Sequence, residues 1–164
     1  MRKLNEGHAV RLALAVATGA AMFGGSEATA QGAQPTIEGV WRVTRHAVDC
    51  PTGQQSPNSF PALMTFHKDG TITSDAVGPG STAAEGTAEH GLWQRTPGRQ
   101  QYSFRLLSYG WDSTGAFEGS AEITGNLQLT GNTFTYAASI QFFDADGNPA
   151  PFTLCGGADG IRFQ

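Results

Sequence analysis

Charged side chains are scarce in this chain of 164 residues, and positive ones are the scarcer kind. Charged residues make up 15% of the sequence, with 10 Lys and Arg against 14 Asp and Glu. Residues 31–164 contain seven of the basic residues and twelve of the acidic ones, a net charge of −5. An acidic chain that has no basic cluster is poorly suited to nucleic acid or to an anionic membrane surface. We therefore expect no nucleic-acid partner.

The sequence also lacks an apolar run long enough to cross a bilayer, which needs roughly 20 residues. Its longest candidate is the stretch LALAVATGAAMF at residues 12–23. This stretch follows the basic residues Arg2, Lys3 and Arg11 and is followed by Ala-Thr-Ala at 28–30. Such an order is typical of a secretory signal, so residues 1–30 are predicted to be a cleaved signal peptide. The alternative is an N-terminal anchor or a buried helix. Export would place residues 31–164, one domain with no membrane span, in the periplasm or outside the cell.

Cysteine is almost absent, and both copies, Cys50 and Cys155, lie in the predicted mature part. In an oxidising compartment an even count of two favours one disulfide. That bridge would close a loop of about 100 residues and stabilise the fold by ~4–5 kcal/mol in the chain-entropy model. The alternative is two free thiols or a reactive nucleophile.

No stretch after residue 31 shows a helical period of 3.6 residues. Alternating apolar and polar residues instead predict eight strands. These are expected at residues 37–48, 62–68, 71–77, 89–96, 100–109, 116–129, 133–143 and 151–163. Segments 51–59 and 78–87, rich in Gly, Pro, Ser and Thr, are predicted to be long exposed loops. The fold class is therefore all-β, an eight-stranded antiparallel up-and-down barrel, with a β-sandwich as the alternative.

Two motifs at opposite ends of the domain carry a resemblance. The first predicted strand begins with Gly39-Val40-Trp41, and the last ends near Arg162. This pair resembles the calycin superfamily of lipocalin-like and fatty-acid-binding-like barrels, and the layout resembles small secreted bacterial proteins. The resemblance implies that Trp41 packs under Arg162 at a closed end, and that segment 51–59 takes the position of a lid. Without the resemblance, Trp41 is a core residue and Arg162 a surface residue.

The predicted inward faces of the fifth, sixth and seventh strands contain no charged residue. Their small side chains leave room either for a ligand or for large neighbours that fill it. Tyr102 and Tyr136 would supply polar groups in a pocket. The predicted ligand-binding residues are Met64, Phe66, Tyr102, Phe104, Leu106, Phe117, Ala121, Tyr136, Ala138 and Ile140.

Catalytic and metal-binding motifs are weak. No zinc motif, nucleophile elbow or phosphate loop occurs, so no cofactor or metal is predicted. The histidines His46, His67 and His90 are far apart in sequence, and 144–148 (DADGN) fits a turn better than a calcium loop. We expect an exported protein that binds a small apolar or amphipathic molecule. An isomerase or cyclase of the calycin type, or a packed interaction domain, is the alternative.

Overall fold

The computed structural model describes residues 36–78, 80 and 82–164, and the predicted signal peptide lies outside these residues. Eight antiparallel strands pair in chain order, and β8 pairs back to β1, so the sheet is a closed barrel. The all-β up-and-down barrel is thereby confirmed, and the sandwich alternative is wrong. The strands are β1 Gly39–Val48, β2 Gln55–Phe66, β3 Thr71–Ala76, β4 Glu89–Arg95, β5 Gln101–Trp111, β6 Phe117–Thr130, β7 Thr133–Asp144 and β8 Pro149–Arg162.

The second strand begins seven residues earlier than predicted. Residues 49–54 form a compact turn, in which the Asp49 amide donates to the Gln54 carbonyl at 2.9 Å. Residues 55–61 then lie beside β1, with residues 55 and 59–61 in its register, although Pro57 and Pro61 both belong to this part of β2. β3 pairs only with Ala62–Phe66. Residues 55–61 therefore have no partner in β3 on the edge that faces away from β1. A free edge tolerates proline, and the expected long loop at 51–59 is therefore mostly strand.

The two ends of the barrel differ in their connections. At one end, which we call the closed end, short turns at residues 67–70, 96–100 and 131–132 join the strands. At the other, which we call the open end, the connections are residues 49–54, 77–88, 112–116 and 145–148. Part of the longest one continues the wall, because Gly86 forms a bridge with Gly110 of β5. No helix long and apolar enough to cross a membrane occurs in the described ranges.

Aromatic rings fill the half of the barrel nearer the closed end. The Phe134 ring lies 4.9 Å from Trp41 and 6.0 Å from Phe66, centroid to centroid. A Cβ at Gly160 would lie 2.3 Å from the Phe134 ring, so this glycine makes room for the ring. Gly125 does the same for Phe104. In this half the small residues lie under large ones, which is the packed alternative foreseen from the sequence.

The disulfide joins Cys50, just after β1, to Cys155 in β8, with a Cα–Cα distance of 5.2 Å. Both cysteines lie near the open end, because Val48 at the end of β1 pairs with Cys155. The predicted pairing is confirmed, and the bridge covalently ties the first strand's end to the last strand.

Candidate functional site

The seam between β1 and β8 is closed by Trp41 and Arg162, which are paired in the sheet register. The Arg162 guanidinium lies 4.3 Å from the centroid of the Trp41 ring. It also donates to the main-chain carbonyls of Glu38, at 2.6 Å, and of Thr36. Gly39 has a φ of 122°, and a Cβ there would lie 3.0 Å from the guanidinium. The Trp41–Arg162 contact implied by the resemblance is present, while membership of the superfamily stays a prediction.

Five of the ten predicted ligand-lining residues belong to the packed half. Tyr102 contacts Trp93 with a centroid distance of 5.7 Å, and Phe104 contacts Tyr136 at 5.1 Å. These residues are buried among each other and have little surface to offer a ligand. The group comprises Met64, Phe66, Tyr102, Phe104 and Leu106.

Inner-face residues nearer the open end are small or apolar and are accessible to solvent. Ile140 packs at the edge of the core. Its register partner in β8 is Leu154, which faces the same side of the sheet because paired residues share a face. Leu154 is nevertheless 47% exposed. The Phe142 ring contacts Phe152, which is 55% exposed, at 6.2 Å. We call this open-ended, accessible lining the cup. It comprises Ala76, Ser108, Ala121, Ala138, Ile140, Phe142, Phe152, Leu154 and Gly156.

Phe117, which was predicted to line the pocket, lies elsewhere. It is 44% exposed, and its ring contacts Tyr109 at 5.9 Å. Tyr109 alternates with the buried Leu106 and so belongs to the outer face. The change follows from an irregularity in the β5–β6 register next to Gly119, whose φ is 143°. A one-residue shift turns a side chain to the other face, which the parity of the sequence does not reveal.

A polar cluster, which we call the polar floor, lies where the cup meets the packed half. The Arg45 guanidinium donates to both carboxylate oxygens of Glu89, at 2.7 and 2.6 Å, and to the Ser74 hydroxyl at 2.7 Å. Arg45 is 7% exposed. Tyr136 lies beside the same guanidinium, two residues from Ala138 of the cup. The polar floor thus contains the predicted Tyr136 and also a charged pair, Arg45 of β1 and Glu89 of β4, that the sequence analysis did not predict.

Burial and pairing set the proton state of the polar floor. Burial raises the pKa of Tyr136 to about 12, although Arg45 acts to lower it, so the phenol is neutral near pH 7. Burial acts to lower the pKa of Arg45, but the hydrogen bond and charge of Glu89 outweigh it, and the pKa is raised. The floor therefore presents a paired cation and a neutral hydroxyl.

One donor of the floor is left over. Within the described part of the chain, Arg45 Nε is buried and has no hydrogen-bond partner. A buried donor without an acceptor costs free energy, on the order of 1–3 kcal/mol. This N–H group and the O–H group of Tyr136, whose oxygen lies beside the guanidinium, are the two donors that the floor can offer to a ligand.

A signal for the floor was present in the sequence. Trp41, Val43 and Arg45 alternate along β1, so the parity that buries the indole also buries the guanidinium. Glu89 shares parity with Trp93 in β4 in the same way. The alternation within the first and fourth strands therefore predicts both buried charges.

Charge is distributed unequally between the two ends. The four connections at the open end contain no Lys or Arg. The pKa of Asp112 is lowered by hydrogen bonds from Thr114 and Ala116, and that of Asp144 by hydrogen bonds from Asn148. We call the open-end carboxylates the acidic mouth: Asp49, Glu85, Asp112, Glu118, Asp144 and Asp146. Four basic residues lie nearer the closed end: Lys68, Arg95, Arg99 and Arg162.

A groove lies on the outer face of the barrel. This groove, of about 770 Å³, crosses β8, β1, β2 and β3, and its walls include Leu63, Val77 and Ile161. It is apolar in part and open, so it competes with the cup as a place where an apolar molecule could bind. We refer to it as the outer groove.

The histidines and the acidic turn form no metal cluster. Among the residues that the structure describes, no group of three or more His, Cys, Asp or Glu side chains is close enough to hold an ion. His46, His67 and His90 are thus not brought together. Residues 144–148 form a turn in which Asp144 accepts hydrogen bonds from the amides of Asp146, at 3.0 Å, and Asn148, at 2.8 Å.

Comparison with known proteins adds no relative to this picture. No protein-family model matches the chain, and no curated protein matches it.

Proposed function

We propose that this chain is an exported binding protein that holds a small apolar or amphipathic molecule in the cup. The observation that carries the proposal is the contrast between the two halves of the barrel. One half is filled by aromatic rings, while the other presents accessible apolar side chains, among them Leu154 and Phe152, on its inner face. Covering such side chains with a ligand would stabilise the complex by about 25 cal/mol per Å² of apolar surface removed from water.

Export is part of the proposal. Its supports are the signal-like residues 1–30 and the disulfide between Cys50 and Cys155, since disulfides persist in oxidising compartments. The closed barrel also suits a carrier, because a barrel of about eight strands can enclose one small ligand.

The test is binding of Nile red, a neutral apolar dye, together with native mass spectrometry of the gently purified protein. We expect saturable binding of one dye molecule per chain. Ala121→Phe places a large ring in the cup and should weaken binding by about tenfold or more, which corresponds to a loss of about 1.4 kcal/mol or more. Leu63→Gln changes the outer groove and should leave dye affinity unchanged.

Two results would overturn the proposal. One is an absence of saturable dye binding and of any co-purified small molecule, which would favour a packed interaction domain. The other is a reversed mutant pattern, with Leu63→Gln weakening binding and Ala121→Phe having no effect, which would assign the dye to the outer groove.

A further inference from the structure

Building on the cup proposed above as the binding site, we propose that its natural ligand is a neutral amphiphile that ends in a carbonyl-type oxygen, and not a fatty-acid anion. The oxygen would lie on the polar floor and accept hydrogen bonds from Arg45 Nε and the Tyr136 hydroxyl. The apolar body would extend along the cup to Phe142 and Phe152.

The charge of Arg45 is already matched. Glu89 pairs with the guanidinium through both oxygens, and the Glu89 side chain is itself only 13% exposed. A ligand carboxylate entering the floor would meet Glu89 at short range in a poorly solvated site, where like charges repel strongly. It would have to displace Glu89 from Arg45 or take up a proton. A neutral ligand head needs neither.

The floor offers a ligand two donors. Arg45 Nε is buried and lacks a partner among the described residues, and the Tyr136 phenol keeps its proton at neutral pH. The complement of two neighbouring donors is an oxygen with two lone pairs, as in a ketone, aldehyde, ester or amide. A ligand without such an oxygen would leave the Arg45 donor unsatisfied.

The acidic mouth also disfavours anionic ligands. A ligand reaches the cup past the open end, where the connecting segments contain carboxylates and no Lys or Arg. Charge of one sign around an opening repels ligands of that sign and slows their association, and the effect weakens as salt is added. Anionic amphiphiles are thus disfavoured at the mouth and again at the floor.

The experiment is a competition series against bound Nile red in the wild-type protein at about pH 8, where a free carboxyl group is ionised. The competitors share one twelve-carbon chain: methyl dodecanoate, dodecanoate and dodecane. The ester and the alkane are used below their solubility limits, and dodecanoate is used below its micelle concentration. We expect the ester to compete about tenfold more strongly than either dodecanoate or dodecane. Equal or stronger competition by dodecanoate would overturn the inference and leave the proposed function intact. Failure of the wild type to bind Nile red at all would instead overturn the proposed function.

Two variants separate the floor from the mouth. Glu89→Gln removes the partner of Arg45, so dodecanoate should gain affinity by about tenfold relative to the ester. Glu118→Gln, which removes one carboxylate of the mouth, is the matched control and should leave the equilibrium preference nearly unchanged. If Glu89→Gln folds and still rejects dodecanoate as strongly as the wild type does, the floor does not set the preference and the inference fails.

Tyr136→Phe gives a second measurement that does not depend on Glu89→Gln folding. Loss of one donor should weaken the ester by about threefold to tenfold and leave dodecane unchanged. An equal loss for both competitors would mean that Tyr136 acts only through packing, which contradicts its role as a donor to the ligand.

Discussion

The guanidinium of Arg162 lies 4.3 Å from the centre of the Trp41 ring, across the seam where the last strand meets the first. A planar cation over an indole face is attracted by the ring's quadrupole. The same group caps the carbonyls of Glu38 and Thr36, which precede β1. The contact therefore adds to the other links at this end, where the Trp41 indole donates to the Ile37 carbonyl at 2.8 Å and the Phe163 amide to the Val40 carbonyl at 2.9 Å.

Removing this guanidinium should weaken the whole fold. We expect Arg162→Ala to lower the free energy of unfolding by about 2 kcal/mol, from the lost cation–π contact and two charge-assisted hydrogen bonds. Urea unfolding followed by tryptophan fluorescence measures this. Arg95→Ala, which removes an exposed arginine near the same end, is the control and should change stability little. Equal effects of the two substitutions would show that the seam contact contributes nothing beyond surface charge.

Two glycines on the same strand and face should respond differently to an added methyl group. At Gly160 a Cβ would lie 2.3 Å from the Phe134 ring, whereas at Gly156 its nearest neighbour would be a carbonyl oxygen at 3.5 Å. We expect Gly160→Ala to destabilise the protein by about 1–3 kcal/mol through overpacking, and Gly156→Ala to change stability by less than about 0.5 kcal/mol. Thermal unfolding of both variants tests this.

A second background checks the cause at Gly160. If the clash with the ring is the reason, Gly160→Ala should cost less in a Phe134→Leu protein than in the wild type. The same cost in both backgrounds would point to the backbone and not to the ring.

The strand pattern could be predicted from the sequence because alternation records which face each residue takes. It located all eight strands, and the Trp41 and Arg162 motifs placed β1 beside β8. The pattern missed the start of β2 because Pro57 and Pro61 indicate a loop. Proline is compatible with a strand only where one edge of the strand is unpaired, as it is here. That edge depends on where β3 ends, which is a property of the closed sheet and not of the local sequence.

The site was predicted less well than the fold. Parity located the apolar inner faces correctly, but it could not tell that Tyr102 and Phe104 pack against other rings while Ala121 and Ala138 line the accessible cup. That distinction depends on which cross-barrel neighbours meet, for example Phe104 over Gly125. Phe117 was misplaced because the bulge at Gly119 has no signature beyond a glycine.

Removing one charge of the Arg45–Glu89 pair should destabilise the protein more than replacing both residues with apolar ones. Glu89→Gln leaves a poorly solvated guanidinium without its counter-charge, and we expect a loss of about 3 kcal/mol of stability. The double variant Arg45→Met/Glu89→Leu removes both charges and should lose less than Glu89→Gln alone. A double-mutant cycle by urea unfolding measures the coupling. A coupling near zero would mean that the two charges are solvated and independent, contrary to their two short hydrogen bonds.

The buried phenol of Tyr136 predicts a specific loss of stability in alkali. Its pKa is raised from 10.0 to about 12 in the folded chain, chiefly by burial. The native state therefore keeps a proton that the unfolded state gives up, so the contribution of this group is complete below pH 10 and is lost as the pH rises towards 12. A shift of about two units corresponds to about 3 kcal/mol when the loss is complete, and about 1 kcal/mol of it should be gone near pH 11.

The measurement is urea unfolding of the wild type and of Tyr136→Phe at about pH 9 and about pH 11, the range in which this phenol titrates in the unfolded chain. Between these two values the wild type should lose about 1 kcal/mol more than the variant, because phenylalanine has no proton to give up. Tyr109→Phe, which alters a half-exposed phenol on the outer face, should follow the wild type. If Tyr136→Phe instead loses as much stability as the wild type, the phenol titrates alike in both states. Its burial beside Arg45 would then not set the proton state of the polar floor.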